Sequence, residues 1–87
     1  MTRLEGMKEL AKYIPGMVVL DANNYPRMYI PNLGPPDNPY TKVNFHLENR
    51  ETYTATFFRN NGVISSLVVE APSIKELATK LKLMNLV

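Results

Sequence analysis

Residues 40–70, YTKVNFHLENRETYTATFFRNNGVISSLVVE, decide the fold. In the first part Val43, Phe45 and Leu47 alternate with Lys42, Asn44, His46 and Glu48. A period of two places one set on each side of a strand, so this run reads as a half-buried strand. Asn49-Arg50 turns the chain into a second strand, Thr52 to Phe58, and Asn60-Asn61-Gly62 turns it again. A three-residue hairpin loop takes glycine in the left-handed position, and it predicts the register. Arg59 then faces Val63, Phe57 faces Ser65, Ala55 faces Leu67 and Tyr53 faces Val69. One hairpin face collects Tyr53, Ala55, Phe57, Leu67 and Val69; the other collects Thr52, Thr54, Thr56, Phe58, Ile64, Ser66 and Val68. A two-residue loop would slip the pairing by one and mix the two sets, so the longer loop is preferred. The last strand is apolar on both sides.

Both flanks read as helices. Thr2 and Glu5 have capping-box spacing, and so do Ser73 and Glu76. Leu4, Met7, Leu10, Ala11 and Ile14 form an apolar stripe over Thr2 to Ile14, which Pro15-Gly16 ends. Opposite that stripe stand Glu5, Lys8, Glu9 and Lys12, spaced to pair along the helix. Ile74, Leu77, Ala78, Leu81 and Met84 form the second stripe, with a Glu76–Lys80 pair expected outside it. Lys75 and Lys82 flank it, and the end, Leu83 to Val87, is more apolar than a free tail needs.

Between the first helix and residue 40 lie two short β-rich runs, Met17 to Asp21 and Arg27 to Ile30. Asn23-Asn24-Tyr25-Pro26 between them has turn chemistry and makes a hairpin. Pro31 to Pro39 holds four prolines and a glycine, and reads as a stiffened connector. The expected order is α-β-β-β-β-β-α: an α+β domain spanning residues 1–87, its antiparallel meander of four to five strands flanked by a terminal helix at each end.

Composition narrows the function classes. Eighty-seven residues suffice for one core. There is no cysteine, which excludes disulfides and thiolate metal sites. The first residues lack a signal-peptide core, and no apolar run approaches the ~20 residues of a membrane span, so a cytoplasmic protein without membrane partners is expected. Ten basic against eight acidic residues give a net charge of +2, which permits nucleic acid without demanding it.

Catalytic signals are missing. His46 is the lone histidine, on an outward strand position where a surface role suffices. Glu48 and Glu51 flank a turn, Ser65-Ser66 lie on a strand without a base, and the glycines form no phosphate loop. The expectation is therefore a protein that is no enzyme, with no cofactor, no metal and no evident small-molecule substrate. Two binding readings stand.

In the first, the chain works through protein contacts: an adaptor, a homodimeric scaffold, or an inhibitor of the phage or plasmid type. If both helices cover the Phe57 face, then Thr56, Phe58, Ile64 and Val68, with Arg59 at the rim, form an uncovered docking patch. If the helices take opposite faces, no patch remains. In the second reading, a single nucleic-acid strand stacks on Tyr29, Tyr40 and His46 while Arg27, Lys42 and Arg50 follow its backbone. Against it, no RNP-type, KH or helix-turn-helix pattern occurs.

Overall fold

The computed structural model describes residues 2–22, 25–30, 40–48, 51–59 and 66–87, with the backbone alone at 21, 22 and 25–27. The elements are α1 (Arg3–Ala11), β1 (Val18–Ala22), β2 (Tyr25–Tyr29), β3 (Tyr40–His46), β4 (Tyr53–Arg59), β5 (Ser66–Ala71) and α2 (Ile74–Leu83). The α+β class and the terminal helices follow the sequence. The single meander does not: β1–β2 is a two-stranded sheet and β3–β4–β5 a separate three-stranded one. Both are antiparallel. The connecting residues 31–39 lie outside the described part. Their four prolines lack the N–H a ladder needs, which suits a break between the two sheets.

Capping chemistry sets the helix ends. At α1 the Thr2 side chain accepts from the Glu5 N–H at 3.1 Å, and the Glu5 carboxylate accepts from the Thr2 N–H at 3.0 Å. This complete capping box satisfies two backbone donors that would otherwise lack partners. The helix ends at Ala11, three residues before the expected Ile14. Pro15 and Gly16 then form a tight turn, with the Met17 N–H donating to the Ile14 carbonyl and Gly16 at φ 82°. Glycine takes that backbone without steric cost.

At α2 only half of the expected box forms: Ser73 Oγ accepts from the Glu76 N–H at 3.1 Å. The expected Glu76–Lys80 pair is also absent, because Lys80 Nζ donates instead to the Glu70 carbonyl at 2.7 Å, tying α2 to β5. Beyond α2, Asn85 adopts φ 56°. The Asn85 N–H donates to the Lys82 carbonyl and the Leu86 N–H to the Leu81 carbonyl, the paired bonds of a Schellman motif. That turn folds Leu86 back into the core, which accounts for the apolar end. Met84, expected in the buried stripe, sits at the cap and is exposed.

One core joins Met7, Leu10 and Ile14 to Phe45, Leu47, Ala55, Phe57, Val69 and Ala71, and to Ile74, Leu77, Ala78 and Leu81. Each large side chain buried here contributes about 1.5–3 kcal/mol by removal from water. At Gly6, which is buried on α1, the helix comes close to the chain just beyond β3. A Cβ there would lie 2.6 Å from both the Cβ and the carbonyl oxygen of Leu47. Leu4, expected to face the core, is only half-buried, while Tyr13 packs against the core from beyond the helix end.

The β4–β5 register differs from the expectation by two residues. Phe57 pairs with Leu67, Ala55 with Val69, Tyr53 with Ala71 and Phe58 with Ser66. A slip of two keeps every side chain on its expected side. The residues expected to form the turn, 60–62, lie outside the described part.

Candidate protein-binding face

The pairings arrange the outer side of β3–β4–β5 as a grid of three rows. Lys42, Phe58 and Ser66 form the first; Asn44, Thr56 and Val68 the second; His46, Thr54 and Glu70 the third. Every buried side chain of these strands belongs to the opposite side: Phe45, Ala55, Phe57, Val69 and Ala71. The buried side of α2 packs on that same side, against β4 and β5, while α1 packs on α2 and on the β1–β2 hairpin and meets the chain just beyond β3 at Leu47. Among the described residues no helix covers the grid.

The two edge strands of the grid are exposed at Lys42, Asn44, His46, Ser66, Val68 and Glu70. The central strand is half-buried at Thr54, Thr56 and Phe58, shaded from both sides by its neighbours. Val68 is 53% exposed beside Thr56, with Phe58 on the diagonal. The grid is thus largely polar, with a small apolar centre.

The expected docking residues divide. Thr56, Phe58 and Val68 share this grid. Ile64 lies outside the described residues. Arg59 stands apart, because alternation puts it on the side of Phe57, where its guanidinium lies over the Tyr40 ring at 5.3 Å. Tyr40 in turn meets Phe57 edge-on, with ring centroids 5.8 Å apart. A β-bulge between Tyr40 and Lys42 is what returns Tyr40 to the inner side.

Of the residues expected to hold a nucleic-acid strand, the side chains of Tyr29, Tyr40, Lys42 and His46 are described. Lys42 and His46 share the grid, whereas Tyr40 is engaged between Phe57 and Arg59 on the other side. Tyr29 is on the hairpin at 60% exposure, and Arg27 pairs with Leu20 there. Arg50 lies outside the described residues. Stacking platforms need aromatics and cations on one track, and among the described side chains Tyr40 faces away from Lys42 and His46.

A second uncovered strip has no counterpart in the sequence expectations. On β1–β2, Val18 pairs with Tyr29, and Leu20 lies two residues along on the same side. These three are 48%, 60% and 56% exposed, while Val19 and Met28 between them pack on the core. The signal was present in Val18-Val19-Leu20, which is apolar at both parities and therefore offers apolar groups to both sides.

An open groove of about 270 Å³ lies between α1 and the start of α2, lined by Glu9, Tyr13, Tyr53, Ile74 and Lys75 among others. Its carboxylate is already engaged. Glu9 accepts from Lys12 Nζ at 2.9 Å and from the Tyr13 hydroxyl at 3.3 Å. The Lys12 bond holds the Glu9 carboxyl below the usual carboxylate range and raises Lys12 in return. A half-buried carboxylate kept ionised in this way serves as an ion-pair acceptor, not as a proton donor near neutral pH. Among the described residues no three His, Asp or Glu side chains converge as metal ligands. No described helix is long and apolar enough to cross a membrane.

No protein-family model, curated protein or solved structure matches this chain.

Proposed function

We propose that this chain is a non-catalytic binding or regulatory protein that acts through protein contacts, as an adaptor, a dimeric scaffold or an inhibitor seated on a larger assembly. One observation carries it: α2 packs on the Phe57 side of β3–β4–β5 and no described helix covers the other side, leaving the grid of Thr56, Phe58 and Val68 open. The Val18, Leu20 and Tyr29 strip adds a second open apolar surface. Exposed apolar groups rimmed by polar ones characterise interaction sites on small proteins.

The test pairs Phe58→Ser/Val68→Ser with Val18→Ser/Leu20→Ser in the full chain. Each variant is compared with wild type for mass in solution and for protein retained from extracts of the source cells, with circular dichroism to check folding. The reading expects at least one folded double variant to lose mass or retained protein. If both keep the wild-type behaviour in each assay, protein contact through these faces is excluded.

A further inference from the structure

We infer, building on the reading of the β3–β4–β5 grid as a docking face, that its occupant is a second copy of this chain, held by reciprocal contacts between Lys42 and Glu70. The register carries the inference. Lys42 stands at one corner of the grid and Glu70 at the diagonally opposite corner. With strands ~4.8 Å apart and same-side residues ~6.8 Å apart, the two corners are separated by about 17 Å.

Both side chains are exposed, and neither has an ion-pair partner among the described residues. Lys80 is bound to the main-chain oxygen of Glu70, not to its carboxylate. The cation and the carboxylate are thus both free to meet a partner.

Such an arrangement is complementary to itself. Consider two grids face to face, related by a two-fold axis lying in the plane between them and perpendicular to the Lys42–Glu70 diagonal. Each Lys42 then lies over the Glu70 of the partner subunit, so one operation makes two opposite-charge contacts. The same operation brings Phe58 beside Val68 of the partner subunit, joining the two apolar groups of the grid. It sets Thr54 beside Asn44 of the partner subunit, and Thr56 on the axis. The strands of the two sheets cross at roughly 70°, close to orthogonal sheet packing. A nine-residue face is smaller than the ~20–30 residues a side of a stable interface, so the dimer is weak and salt-sensitive.

Charge reversal tests it by sedimentation equilibrium over a concentration series reaching millimolar protein at low salt. Wild type is expected to dimerise. Lys42→Glu alone and Glu70→Lys alone each place like charges together twice, and each should weaken the dimer by at least about tenfold. An equimolar mixture of the two single variants should dimerise again, because each then offers the charge the other lacks. So should the Lys42→Glu/Glu70→Lys double variant. A wild-type chain that stays monomeric overturns the inference, as does a dimer indifferent to both reversals. If that indifferent dimer is lost in Phe58→Ser/Val68→Ser, the docking face stands and only the two-fold arrangement fails. If it survives those changes too, the face itself is wrong.

Discussion

Phe57 and Phe58 are the same residue one position apart, and the pleat of β4 gives them opposite surroundings. Phe57 is fully buried on the side that α2 covers; Phe58 stands on the outer grid among threonines, serine and lysine. The two sides of one sheet therefore differ in kind. The inner side is held by packing, where each methylene counts. The outer side is polar with a small apolar centre, a composition that survives in water and still offers contact. The hairpin β1–β2 differs again, with apolar residues on both sides and only one of them covered.

The largest expected effect breaks this contrast at its source. Phe57→Ala should destabilise the fold by about 3–5 kcal/mol, a large part of the ~4–13 kcal/mol expected for a chain of this length. Phe58→Ala should cost less than about 1.5 kcal/mol, because less of its surface leaves water on folding. Urea unfolding of both variants measures the difference, and equal losses would remove the distinction between the two sides.

Gly6→Ala sharpens the inner side. Alanine is favoured over glycine in a helix by ~1 kcal/mol, but here its Cβ meets the Leu47 backbone oxygen at 2.6 Å. Overpacking should dominate, with a net loss of about 1–3 kcal/mol read from the denaturation midpoint. A gain would mean that α1 does not approach Leu47 so closely. Ser73→Ala removes the single cap bond of α2, the helix that covers Phe57 and Ala55. It should cost about 1 kcal/mol, while Ser73→Asp should keep most of it.

The smallest effect is titrable. The backbone hydrogen bond from Thr2, then the bond to its side chain, holds the Glu5 carboxyl below the ordinary glutamate range. A folded-state pKa below the unfolded one gives stability that is present above the unfolded value and is lost as pH falls through the folded one. The protection of the first-turn amides of α1, taken relative to their intrinsic exchange rate at each pH, should therefore fall as the pH is lowered past the usual carboxylate range. Glu5→Gln, which can still accept at the Thr2 N–H, should lose that pH dependence.

Much of this architecture was legible in residues. Thr2 with Glu5 marked α1, Ser73 marked α2, and the alternation from Lys42 to Leu47 gave β3 with its sides correctly divided. Alternation could not fix the β4–β5 register, because pairings two residues apart bury the same set; contacts with α2 and the core decide between them. It did place Arg59 beside Phe57, against its expected position at the rim of the Phe58 side. Gly6 gave no signal by itself, since a helical glycine explains itself only when the neighbour it admits is known. Asn85 was equally silent until Leu86 was seen to turn back onto the core. Tyr40 parts from Lys42 and His46 for a similar reason: residue type was readable, but the bulge that carries Tyr40 to the inner side was not.

The most direct test uses the absence of cysteine from this chain. Val68→Cys and Val69→Cys, each carrying one thiol, are labelled with a thiol reagent in dilute native protein. Val68 is 53% exposed on the grid and Val69 is 5% exposed on the side that α2 covers, so the first thiol should react many times faster than the second. Equal protection at both positions would mean that the outer side is already covered, and the docking face would not exist.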